Sequence, residues 1–143
     1  MKTGWYNVDR EYFVVKPLHN GNRQSLIMGA CHIASNRWNI MMGVFSSNVT
    51  YNSMYNSAAW YTPTSTNKNP TTGTLSLALE ALNEIEQEIH NYANGKKAFI
   101  YVDGLDERRL RIYTKVLTQK CGYKKSTVKS DLIKDMSKLY KRV

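Results

Sequence analysis

The chain has 143 residues and a net charge of +9, and 42% of its residues are hydrophobic. This length predicts one globular domain spanning residues 1–143, with a single core. The sequence has no apolar run of the 18 or more residues that a transmembrane helix needs, so no membrane-spanning helix is predicted.

The positive charge is concentrated at one end of the chain. Residues 1–95 contain six Lys/Arg and six Asp/Glu, whereas residues 96–143 contain fourteen Lys/Arg and five Asp/Glu. The last third therefore carries the whole net charge. A surface this basic favours an anionic partner, which would be acyl-CoA, a nucleotide, nucleic acid or an acidic protein.

The N-terminus and the cysteines indicate a cytoplasmic protein. Residues 1–10 lack the apolar core of a signal peptide. Cys31 and Cys121 are 90 residues apart and neither has a metal-ligand spacing, so both are expected to be reduced thiols. The small size and the Asn- and Tyr-rich composition are typical of phage accessory proteins, which would place the chain in the host cytoplasm.

The first 45 residues predict a meander of antiparallel strands. Tyr12–Val15, Ser25–Ala34 and Trp38–Phe45 are rich in β-branched, aromatic and other apolar residues. Asn20-Gly21 lies between the first two strands and is a strong hairpin signal. The second and third strands are almost continuously apolar, which predicts that both of their faces are covered.

Residues 46–72 are polar and predict a long loop. A loop of this length is uncommon in a compact domain and is often functional. It contains Trp60 and Tyr61, whose rings could stack on the bases of a single strand.

The second half predicts alternating helices and strands. Thr74–Ala93 has an apolar stripe at helical spacing and ends at Asn94-Gly95. Its opposite face holds four glutamates, which we expect to be solvated or paired with the basic third of the chain: Glu80, Glu84, Glu86 and Glu88. The remaining predicted elements are a central buried strand at Ala98–Val102, a helix at Asp106–Cys121 and a last helix at Ser130–Val143. The predicted fold class is α/β (α+β), with the meander followed by helix, strand, helix and helix.

Two local features favour an anion site. Thr72-Gly73-Thr74 leads into the helix at 74–93, and backbone N–H groups at such a start can bind phosphate. Arg108, Arg111 and Lys115 share one side of the following helix and could contact phosphates. The alternatives are an ordinary helix cap for the first feature and a solvated face for the second.

Other chemistry has no local signature. The three histidines have no second ligand at metal spacing, so no metal is expected. The sequence contains no phosphate-binding loop of the Walker type, no dinucleotide fingerprint and no nucleophile elbow.

The run Phe99–Val102, Arg108–Tyr113, Leu117 and Gly122-Tyr123 resembles the C-terminal half of the GNAT N-acyltransferases. The order of predicted elements is similar to that family from Tyr12, at the family's second strand, to Tyr123. The resemblance implies a three-layer arrangement, with acetyl-CoA as cofactor. It places the CoA pyrophosphate at Thr72, Gly73 and Thr74, lets the next strand splay from its neighbour to admit the pantetheine arm, and implies that Tyr113 protonates the leaving thiolate.

Three functions remain open at this point. The first is a GNAT-like domain that binds acyl-CoA and transfers the acyl group to an amine. The second is a non-enzymatic protein that binds nucleic acid or a host factor through Arg108, Arg111, Lys115, Trp60 and Tyr61. The third is a sponge that holds a phosphorylated small molecule without turnover.

Overall fold

The computed structural model describes residues 1–18, 23–34, 36–55, 74–103, 107–127 and 137–143. Within these ranges the chain forms a seven-stranded sheet and three helices. The elements, in chain order, are β1 (Gly4–Tyr6), β2 (Glu11–Pro17), β3 (Gln24–Ala34), β4 (Arg37–Ser46), α1 (Tyr51–Tyr55), α2 (Thr74–Ala93), β5 (Phe99–Asp103), α3 (Glu107–Lys120), β6 (Lys124–Thr127) and β7 (Ser137–Arg142).

The sheet has the order β1-β2-β3-β4-β5-β7-β6. All neighbouring strands are antiparallel except β4 and β5, which are parallel. The predicted α/β (α+β) class is confirmed. The prediction of a central buried strand at 98–102 is also confirmed, because β5 has neighbours on both sides and Ile100 is fully buried.

The meander has one strand more than the sequence indicated. The three predicted strands are present as β2, β3 and β4. A further strand, β1, pairs with β2 ahead of them, with Trp5 opposite Tyr12. Its three residues are too few to show a period of two, so the sequence pattern gave no signal for it.

The main core lies between the sheet and helix α2. The apolar stripe of α2 is buried at Ala78, Leu82, Ile85 and Ile89. Tyr92 continues this stripe but is 46% exposed, because it packs on Trp5 at the margin of the core. The strand residues of this cluster share one face of the sheet, and they include Val14, Leu26, Met28, Trp38, Ile100, Val102 and Leu139.

The opposite face of the sheet is covered over β1–β4. Phe13, Ile27, Phe45 and Met54 form a second buried cluster there. Met54 belongs to α1, a short helix inside the predicted 46–72 loop, so the loop prediction is wrong at Tyr51–Tyr55. Strand β3 is thus buried on both faces, as its continuous apolar run predicted.

The predicted last helix at 130–143 is wrong where the structure describes it. Residues Ser137–Arg142 form β7, which pairs with β5 on one side and β6 on the other. Leu139 and Tyr140 fit a helical stripe and a strand equally well, and the free edge of β5 decides between them. Strand pairing satisfies the backbone of β5, which local helix propensity does not do.

Helices α2 and α3 end where the sequence predicts. Gly95 and Gly122 follow the two helices with φ values of 85° and 79°, a left-handed conformation that favours glycine. Both described long helices pack on the same face of the sheet, since Leu117 of α3 joins the cluster that α2 builds.

Gly29 in the middle of β3 is fixed by the ring of Phe13. The two residues are register partners, and a Cβ at Gly29 would lie 2.5 Å from Phe13 Cε1. We expect Gly29→Ala to lower the free energy of unfolding by about 1–3 kcal/mol through overpacking, measured by urea denaturation.

The matched control for this substitution is a double-mutant cycle with Phe13→Leu. Removing the ring removes the atoms that the new methyl group meets, so the double variant should lose less stability than the sum of the single variants. Additive losses would show that the contact with Phe13 does not exclude a side chain at position 29.

Candidate functional site

Helix α2 runs antiparallel to β4 across the helical face of the sheet. Near its C-terminal end, Tyr92 packs on Trp38 at the start of β4, with ring centroids 5.5 Å apart. Closer to its middle, Glu84 pairs with Lys16 at 3.0 Å, and Lys16 is in register with Leu26 towards the other end of the sheet. The first turns of α2 therefore lie at the end of the sheet where β4 terminates.

The parallel pair of β4 and β5 is short. The two strands are in register from Arg37 opposite Phe99 to Ile40 opposite Val102. Strand β4 continues beside β3 as far as Ser46, whereas β5 ends at Asp103. The end of β4 therefore runs beyond its last pair with β5, at the same end of the sheet as the start of α2.

The backbone of β4 alternates between its two neighbours. Ser47 N–H donates to Arg23 O, 2.9 Å away on the β3 side. Phe99 N–H donates to Asn36 O, 2.8 Å away on the β5 side. Because hydrogen-bonding direction alternates along a strand, odd residues of β4 bond to β3 and even residues face β5.

The amide and carbonyl groups of Met42 and Val44 consequently face the β5 side beyond the last β4–β5 pair. We call this region, bordered by Met42, Val44 and the start of α2, the β4–β5 gap. It presents main-chain donors and acceptors to any extended polar group that lies along β4. The predicted splaying of β5 from its neighbour has its structural counterpart in this early end of the pair.

The residues predicted from sequence are placed as follows. Thr74 is the first residue of α2, at the end of the sheet that holds the gap. Arg108, Arg111 and Tyr113 lie in α3, in the part whose side chains are not described, and Lys115 follows them with an exposed side chain. The remaining predicted site residues, Trp60, Tyr61, Thr72 and Gly73, lie outside the described residues.

A buried polar network connects α2 to the C-terminal third. Tyr123, which directly follows α3, donates its hydroxyl to Glu86 Oε1 at 2.7 Å. Lys141 of β7 donates to the other oxygen of the same carboxylate at 3.1 Å. The sequence expectation that the glutamate face of α2 pairs with the basic third is confirmed at Glu86, while Glu84 pairs with Lys16 and Glu88 accepts a hydrogen bond from Trp5.

This network keeps its neighbours protonated. Burial, and then the negative charge of Glu86, raise the pKa of the Tyr123 hydroxyl well above its usual range. The pKa of the Cys121 thiol is raised for the same two reasons, in that order. The two cysteines are free thiols in the structure, so Cys121 is not held in a disulfide.

We expect Glu86→Ala to lower the free energy of unfolding by about 2 kcal/mol. The substitution leaves the buried Tyr123 hydroxyl and the Lys141 ammonium without their shared acceptor. Glu80→Ala, which removes an exposed carboxylate from the same helix, is the matched control and should change stability by less than about 0.5 kcal/mol. Equal effects of the two substitutions in thermal or urea unfolding would contradict this role.

A second carboxylate, Glu11, is buried on the opposite face of the sheet. It accepts hydrogen bonds from the hydroxyl of Tyr51 and, at 4.0 Å, from the thiol of Cys31, its register partner. Burial, and then the charge of Glu11, raise the pKa of Cys31 from 9.0 to about 12. The thiol therefore stays protonated and unreactive at neutral pH.

The raised pKa of Cys31 predicts loss of stability in alkali. Above pH 9 the unfolded thiol ionises while the folded thiol keeps its proton, so this contribution is complete below pH 9 and is lost as pH rises towards 12. The slope is at most about 1.4 kcal/mol per pH unit and is reduced because the thiol is only partly buried. Urea denaturation at pH 8–10.5 should show a smaller slope for Cys31→Ala, and identical slopes would contradict the assignment.

The described residues hold no group of three or more His, Cys, Asp and Glu side chains arranged for a metal ion. Among the described helices, none combines the length and the apolar character needed to cross a membrane. No protein-family model matches the chain, and no curated protein or solved structure shows significant similarity to it.

Proposed function

We propose that the chain binds acyl-CoA in the β4–β5 gap and is a GNAT-like domain that transfers the acyl group to an amine. One observation carries the proposal: the backbone groups of Met42 and Val44 face the β5 side beyond the last β4–β5 pair, at the sheet end where α2 begins. An antiparallel meander, a helix, a strand and a helix follow one another in the order that the sequence resemblance implied.

The gap matches the chemistry of a pantetheine arm. That arm is an extended chain with two amide groups, each of which offers one donor and one acceptor. Laid along β4, it would bond to Met42 and Val44 as an added strand does. Its pyrophosphate would then reach the N-terminal end of α2, where backbone N–H groups and the helix dipole favour an anion.

The proposed transfer needs few side chains. The amine nitrogen attacks the thioester carbonyl, a C–N bond forms and the C–S bond breaks. The amine proton passes to water or a carboxylate, and the leaving thiolate takes a proton, for which the resemblance assigns Tyr113. Thr72 and Gly73, directly before α2, are the proposed pyrophosphate contacts together with Thr74.

The sharpest test is residue-resolved NMR with acetyl-CoA. On titration, the backbone amides of Met42 and Val44 should shift, because they face the gap. The amide of Gly43 should shift much less, since odd residues of β4 are bonded to β3. The two sets lie in the same strand, so Gly43 is an internal control for general effects on the fold.

Two substitutions extend the test to the predicted residues. Gly73→Val should abolish binding of acetyl-CoA, because the added side chain blocks the approach of the pyrophosphate to the helix start. Tyr113→Phe should retain binding and lower turnover. Binding of acetyl-CoA without turnover on any amine would support the phosphorylated-ligand sponge, and no heat of binding at millimolar acetyl-CoA would refute both.

A further inference from the structure

The face of the sheet opposite α2 is open over its second half. In this region β4, β5, β7 and β6 lie side by side. Asn39, Tyr101, Tyr140 and Lys124 are register partners across these four strands. Arg37, Phe99 and Arg142 form the next row across β4, β5 and β7. We call these seven residues the open face.

Alternation along the strands explains why the open face differs from the helical face. Ile100, Val102 and Leu139 point towards α2 and α3 and are buried in the main core. The residues between them point to the other side. There, Phe99, Tyr101 and Tyr140 are only half-buried, and Arg37, Lys124 and Arg142 are exposed.

The aromatic and basic side chains of the open face are in mutual contact. The rings of Tyr101 and Tyr140 are stacked, with centroids 5.9 Å apart and an angle of 25° between their planes. The guanidinium carbon of Arg37 lies 4.4 Å from the centroid of the Tyr101 ring. Packed rings lose little side-chain entropy when a ligand stacks on them, so this arrangement is preorganised for flat ligands.

The composition of these two rows favours a polyanion with planar groups. The seven side chains comprise three cations, three aromatic rings and one amide, with no acid among them. A single nucleic-acid strand carries a phosphate and a flat base in every unit, so it meets both requirements at once. An acidic peptide would satisfy the cations and leave the half-buried rings without a matching group.

We propose that the open face binds single-stranded nucleic acid, with bases stacked on Tyr101 and Tyr140 and phosphates at Arg37, Lys124 and Arg142. This site is separate from the basic stripe of helix α3. It is independent of the acyl-CoA proposal, since it rests on side chains of the open face and not on the backbone of Met42 and Val44.

The test measures fluorescence anisotropy of labelled oligo(dT) and oligo(rU) of 20 nucleotides, with the full chain at several salt concentrations. Two triple variants carry the same change in charge. The open-face variant is Arg37→Gln, Lys124→Gln and Arg142→Gln, and the matched control on helix α3 is Arg108→Gln, Arg111→Gln and Lys115→Gln.

The open-face variant should bind at least about tenfold more weakly, and its plot of log affinity against log salt should flatten by about two, since each lost phosphate contact removes about 0.7 on a single strand. The helix variant should bind within about threefold of the unmodified protein. Equal losses in both variants, or a greater loss in the helix variant, would overturn the assignment to the open face.

A further variant separates stacking from charge. Tyr140→Leu should weaken binding roughly 5-fold to 100-fold without changing the salt dependence, whereas Tyr92→Leu, which removes an exposed ring from α2, should have no effect. Thermal unfolding of each variant verifies that it is folded. No binding of either oligonucleotide at 50 mM salt, or unchanged affinity in Tyr140→Leu, would refute the proposal, and equal binding to heparin and to the oligonucleotides would reduce the face to a general polyanion surface.

Discussion

The architecture depends on the insertion of β5 between β4 and β7. This strand joins the neutral N-terminal meander to the basic C-terminal hairpin, through parallel pairing on one side and antiparallel pairing on the other. Ile100, at its centre, is fully buried and links the strands on both sides to the helical layer. Without β5, each half of the sheet would expose an edge and part of a hydrophobic face.

The parallel pairing of β4 and β5 has two consequences for the candidate sites. Parallel neighbours need a crossover connection, and α2 lies within that connection and packs on one face of the sheet. Its first turns therefore lie at the end of β4, where the β4–β5 gap is. The same packing leaves the opposite face of β5 free of α2, so the side chains of Phe99 and Tyr101 reach the surface there.

The uneven charge of the sequence acquires a direction in the fold. Along β7, Leu139 and Lys141 point to the helical face, while Tyr140 and Arg142 belong to the open face. Lys141 is neutralised by Glu86, a carboxylate from the neutral part of the chain. Arg142 instead adds to the cations of the open face, so alternation in one short strand separates structural charge from charge that is available to a ligand.

The sequence by itself determined the elements whose signals are local. Helix α2 begins and ends where its apolar period and the Asn94-Gly95 stop predicted. Strands β2, β3 and β4 followed from their apolar patterns and from the Asn-Gly turn. The sequence likewise identified β5 as a buried strand, because its apolar run is short and continuous.

The tertiary structure alone decided the elements and sites that depend on a partner distant in sequence. Residues 137–142 are a strand because β5 has an edge to pair, although their spacing of apolar residues also fits a helix. The β4–β5 gap depends on where β5 stops relative to β4, and the open face depends on which register joins Tyr101 to Tyr140. Strand register is set by contacts between segments that are far apart in the chain, so no local pattern of residues specifies it.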